Sequence, residues 1–116
     1  MKDSTKFLKG YVFISTRTSL EDVAEKISRA LSIKLEEAPI GRFEEYEGYQ
    51  CDAMGFTIYL TGDDLSKPRP IDHNFQLTVG PSRRLVFEEN MTFEEIDISS
   101  FLEWALSQIP DLKIST

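Results

Sequence analysis

The residue types that perform chemistry are thinly supplied in this chain. His73 is the single histidine and Cys51 the single cysteine among 116 residues. His73 stands beside Asp72, with Asp63 and Asp64 earlier in the chain, and these carboxylates suit oxygen ligation of a divalent cation without forming the Gly-centred loop of an EF-hand. A small metal-dependent enzyme built on Asp63, Asp64, Asp72 and His73 is one reading; a solvated or structural loop histidine is the other. Cys51 needs a neighbouring base to act as a nucleophile, and His73 is the one imidazole on offer. Its alternation with Tyr49 and Ala53 instead places Cys51 on an apolar strand face, as a small hydrophobe. A lone cysteine permits neither an intrachain disulfide nor a Cys-based zinc site. Gly41, Gly48, Gly55, Gly62 and Gly80 occur singly and form no P-loop or dinucleotide fingerprint, so they read as turn residues. No cofactor is expected.

Carboxylates are abundant, and their distribution says more than their number. From Leu35 to Ser66 the chain carries Glu36, Glu37, Glu44, Glu45, Glu47, Asp52, Asp63 and Asp64 against the single base Arg42. From Leu85 to Leu112 it carries Glu88, Glu89, Glu94, Glu95, Asp97, Glu103 and Asp111 with no base. Such blocks leave negative potential over parts of the surface, which steers a basic partner; solvation of an ordinary surface is the alternative. The formal charge of −7 argues against direct nucleic-acid binding, which depends on neutralising phosphate with Lys and Arg. A protein partner fits better. Around Phe43, acids alternate with aromatics, and Tyr46 and Tyr49 each offer a large ring with a polar tip. The candidate partner-binding set is therefore Glu44, Glu45, Tyr46, Glu47, Tyr49, Asp63, Asp64, Glu88 and Glu89. A solvated edge strand whose acids discourage aggregation is the competing account of the same segment.

The elements that must position these residues can be read from periodicity. Gly10 to Ser15 predicts a strand, its apolar run suited to a central place in a sheet, behind a leader over residues 1–9 read as flexible. Thr18 with Glu21 resembles a capping box, and Leu20, Val23, Ala24, Ile27 and Leu31 mark one face of a first helix. Ile33 to Glu37 reads as a short strand. Tyr49, Cys51 and Ala53, then Phe56, Ile58 and Leu60, alternate as the two arms of a hairpin. Thr61 to Asn74 reads as a long loop, followed by strands at Phe75–Val79 and Arg84–Phe87. Asp97 is the expected N-cap of a second helix, with Ile96 stapling to Phe101 and an apolar stripe of Phe101, Leu102, Ala105, Leu106 and Ile109 ended by Pro110. Trp104 is expected to pack in the core, a half-exposed anchor being the alternative. Leu112 to Ser115 offers a last edge strand. This order implies one α+β domain over residues 1–116, a mostly antiparallel sheet with two helices packed on one face.

An apolar fraction of 41% with eight Phe marks a folded chain, not an acidic disordered one. No stretch approaches the roughly eighteen apolar residues of a membrane span, and no signal peptide is evident. A cytoplasmic protein is expected.

The first strand, the helix SLEDVAEKISRAL and the stretch GRFEEYEGYQCDAMGFTIYL together resemble the small immunity proteins of bacterial contact-dependent growth inhibition and related polymorphic toxin systems. The resemblance spans Tyr11 to Leu60. It implies a non-enzymatic protein that binds and neutralises the C-terminal domain of a cognate toxin, commonly a nuclease, one to one. It transfers no residue roles, because interface positions in that group differ from pair to pair. The remaining alternative is a ligand-binding or structural subunit.

Overall fold

A computed structural model describes residues 4–38, 46–53, 55–81 and 92–116. The elements are β1 (Ser4–Thr16), α1 (Leu20–Leu31), β2 (Glu36–Glu37), β3 (Tyr46–Ala53), β4 (Phe56–Asp64), β5 (His73–Pro81), β6 (Thr92–Asp97), α2 (Ser99–Leu106) and β7 (Lys113–Ser115). The fold is α+β, with strand order β2-β3-β4-β5-β1-β6 and β7 also paired to β1.

The long strand β1 organises the sheet. Its second half, Gly10–Thr16, pairs antiparallel with β5, and Phe13–Ser15 pairs antiparallel with β7 on the opposite edge. Its first half, Ser4–Lys9, runs parallel to β6, the one parallel pairing among the described strands. The expected flexible leader is therefore strand from Ser4 onward, because β6 supplies the hydrogen bonds that an isolated polar segment lacks. Along β1, Val12 and Ile14 are fully buried while Tyr11 and Phe13 remain 38% and 40% exposed. The apolar run that reads as covered on both sides is covered on one, and the Tyr11 and Phe13 rings meet edge to face, 4.8 Å apart, on the open side.

Both helices lie on the covered face. Leu20, Val23, Ala24 and Ile27 of α1 and Leu102 and Leu106 of α2 join Val12, Ile14, Ile58, Leu60, Phe75, Leu77 and Val79 in one core. Hydrophobic periodicity thus sets the α1 face correctly. Its N-cap falls one residue later than expected: Ser19 accepts from the Asp22 amide at 3.2 Å, and Thr18 bonds the Asp22 carboxylate instead. Glycines let the helices approach. A Cβ on Gly62 would lie 2.5 Å from Leu20 Cδ2, and one on Gly10 would lie 2.7 Å from Leu102 Cδ1. Gly48, Gly62 and Gly80 sit inside strands and not in turns; Gly55, at φ 86°, does serve a turn.

Other boundaries shift too. Strand β2 is confined to Glu36–Glu37, and the segment read as a long loop is shortened at both ends, because β4 continues to Asp64 and β5 begins at His73. The expected strand Arg84–Phe87 lies outside the described residues, while Thr92–Asp97 forms a strand that its acids disguised. Asp97 ends that strand and does not occupy the N-cap, which falls on Ile98; its carboxylate still accepts from the Ser99 amide at 2.9 Å. That bond and the one from the Ser99 hydroxyl, the larger cause, hold the Asp97 carboxyl below the usual carboxylate range. The stripe of α2 is narrower than expected. Leu102 and Leu106 are buried, but Phe101 is 55%, Trp104 65% and Ile96 42% exposed. The short helix α2 turns only one row of its apolar residues toward β1.

Candidate functional site

Where α1 begins, three carboxylates from three elements surround one tyrosine. Glu21 comes from the first turn of α1, where a negative side chain is favoured by the helix dipole. Glu37 comes from β2, whose pairing sets it directly opposite Tyr49 on β3. Glu47 belongs to β3 itself. With Tyr46, Leu65 and Arg69 they line a cleft of about 410 Å³. Tyr49 is partly buried against the core below it. Burial first, then the charges of Glu37, Glu21 and Glu47, push its phenol above the ordinary tyrosine value. Negative potential is therefore concentrated on that ring.

Arg69, from the loop between β4 and β5, is the one base lining the cleft among the described residues. Its guanidinium bonds Glu47 Oε1, while Glu47 Oε2 is shielded from solvent with no hydrogen-bond partner among the described residues. Among the described lining residues, one base stands against three acids. A compact cation with several N–H donors has the complementary charge and bonding capacity.

The expected site residues divide accordingly. Tyr46, Glu47 and Tyr49 meet in this cleft, with Tyr46 43% exposed at its rim. Glu44, Glu45, Glu88 and Glu89 lie outside the described residues. Asp63 is corrected: it is not a surface contact, for its side chain is only 9% exposed and its Oδ2 approaches His73 Nδ1 at 2.7 Å. The cause is a bulge. Tyr46 pairs with Asp64 and Gly48 with Thr61, so β4 holds an additional residue at this point. The alternation that carries Ile58 and Leu60 into the core is reversed there. Asp63 consequently turns to the buried face, beside the first residue of β5. Neither facing atom has another partner among the described residues. His73 is also not a loop residue; it is 92% buried, with 8% exposed, and stacks on Phe75 at 5.1 Å.

Asp64 accepts from the Ser66 hydroxyl and amide, which, the hydroxyl first, hold its carboxyl below the usual range. Asp72 is held by Arg17 at 2.8 Å. Of the four residues of the cation reading, Asp63 and His73 face each other while Asp64 and Asp72 are held by Ser66 and Arg17, and among the described residues no three His, Cys, Asp or Glu side chains group to hold a metal.

The chain matches no protein-family model, no curated protein and no solved structure. Sequence reasoning missed Glu21, Leu65 and Arg69 as members of the cleft. Glu21 reads as the solvent side of a helix, and Arg69 as a base in a Pro-rich loop; only the folding of β4 and its following loop over the start of α1 brings them to Tyr49. No helix among the described residues is long and apolar enough to cross a membrane.

Proposed function

We propose that this chain is a non-enzymatic binding protein of the cytoplasm that captures a basic protein partner in its acidic cleft, in the manner of an immunity protein neutralising a cognate toxin domain. The observation that carries this reading is the convergence of Glu21, Glu37 and Glu47 on partly buried Tyr49, with apolar surface from Tyr46 and Leu65 alongside. Charge of one sign in a recess speeds and orients encounter, and desolvated aromatics hold the partner afterwards. A nuclease must present Lys and Arg to phosphate, so its substrate-binding surface is the complement of this cleft. Occupying that surface would deny it to the nucleic acid without any catalysis by the inhibitor.

The test is association with the protein domain encoded immediately upstream of this chain's gene, measured by stopped-flow fluorescence and calorimetry at several salt concentrations. Tight one-to-one binding with a salt-dependent on-rate is expected. Glu21→Lys, Glu37→Lys and Glu47→Lys together should slow association and flatten its salt dependence. Tyr46→Ala should cost on the order of 2 kcal/mol in affinity while leaving the free protein's stability within about 0.5 kcal/mol. Failure of the upstream product to bind, or association indifferent to the triple charge reversal, would refute this reading.

A further inference from the structure

Trp104 is the sole tryptophan of the chain, and it stands 65% exposed on α2 with its ring 6.2 Å from that of Phe101, itself 55% exposed. Rings of this size are seldom left in water without a reason, and exposed Trp is the residue type most enriched at interface hot spots. Its ring borders a depression of about 630 Å³ between the helices, lined also by Ala30 of α1 and by Ala105, Ile109 and Pro110. Ala30 and Ala105 are the small side chains that line the hollow. Trp104 makes the projection next to it.

A projection and a hollow adjacent on one surface are what a two-fold contact requires, because rotation about an axis between them seats each copy's projection in the other's hollow. The charges follow the same pattern. The helix that carries the projection has one charged residue, Glu103, next to Trp104. The described residues lining the hollow include Lys26 and Arg29 and no carboxylate. Seating Trp104 therefore brings Glu103 of one copy toward Lys26 and Arg29 of the other. Lys26, half-buried, now holds Asp22 and lies 3.9 Å from Asp111, while Arg29 holds Glu25 through an exposed pair weak enough in water to exchange partners. Among the described residues, the acids nearest this hollow are already engaged by its bases, so none is free to receive a basic partner.

We propose that the α1–α2 face is a homodimer interface in which Trp104 of each copy fills the groove of the other. This surface is separate from the acidic cleft and stands or falls independently of it. The intact chain supplies its own probe, since all tryptophan emission comes from this one position. On serial dilution the emission maximum should move to the red over the same concentrations at which sedimentation equilibrium shows the mass falling from two chains to one. Trp104→Ala should weaken self-association by about 30-fold or more, with an unchanged circular dichroism spectrum. Glu103→Lys should weaken it too, and Arg29→Glu added to Glu103→Lys should restore part of the loss. A wild-type chain that remains monomeric up to about 1 mM overturns the proposal. So does a dimer whose mass survives Trp104→Ala.

Discussion

The two ends of α1 present unlike surfaces. At its start, Glu21 joins Glu37, Glu47 and Tyr49 in a negative cleft; toward its end, Lys26 and Arg29 edge an apolar groove beside Trp104. One physical rule sorts both. Acids are stabilised near the positive N-terminal end of a helix and bases near the negative C-terminal end, and α1 follows that order with Glu21 and Asp22 in its first turn and Arg29 in its last. The ordering that stabilises the helix also gives the molecule two patches of opposite character. They differ in how they are tied to the core. The cleft is built on Leu20, wedged against Gly62, whereas the groove edge at Trp104 rests on little beneath it.

That difference predicts the largest effect. Leu20 is 5% exposed, so Leu20→Ala should cost about 2–5 kcal/mol in urea unfolding, whereas Trp104→Ala should change monomer stability by less than about 0.5 kcal/mol. Equal losses would show that the groove side is as deeply anchored as the cleft. A smaller effect belongs to the cap. Ser19→Ala removes the acceptor for the Asp22 amide at the cleft end of α1 and should cost about 1 kcal/mol.

Electrostatic effects are smaller still and sharpen the comparison. Alkaline titration of the tyrosines, followed by NMR, should show Tyr49 losing its proton later than an ordinary phenol. Since its folded value is raised, the associated stability is complete below the ordinary tyrosine range and is lost as pH climbs through the Tyr49 value. Glu37→Gln should lower that value only part of the way, because burial is the larger cause. A complete return to normal would assign the effect to charge alone. The acid side behaves oppositely. The Thr18 hydroxyl, then Lys26, hold the Asp22 carboxyl low, so its contribution is present above the ordinary carboxylate range and fades as pH falls through the depressed value. Thr18→Ala should blunt this dependence slightly, measured as the shift in urea midpoint between neutral and acid pH.

Local pattern was legible where a single period governs burial. The spacing of Leu20, Val23, Ala24 and Ile27 identifies the core face of α1, and the alternation of Phe56, Ile58 and Leu60 identifies one arm of the β3–β4 hairpin. The α+β class and the sheet with helices on one face follow from the order of such segments. The acid–aromatic composition also pointed to Tyr46, Glu47 and Tyr49 as a group, because neighbours on one strand stay neighbours after folding. Glu44, Glu45, Glu88 and Glu89 belong to the same sequence argument but lie outside the described residues.

What the sequence by itself determined was which faces are apolar and which stretches are acidic; both are properties of a segment and need no partner. What only the tertiary structure decided was which apolar faces are covered and which distant charges meet. Phe101 and Trp104 are as apolar as Leu102 and Leu106, yet the sheet covers one row of a short helix and leaves the other in solvent. An additional residue in β4 reverses the alternation and sends Asp63 from the expected surface to His73. Arg69 reaches Glu47 across 22 positions of sequence, a distance over which periodicity carries no information, because the path of the chain between them is set by strand pairing and not by the residues' own preferences.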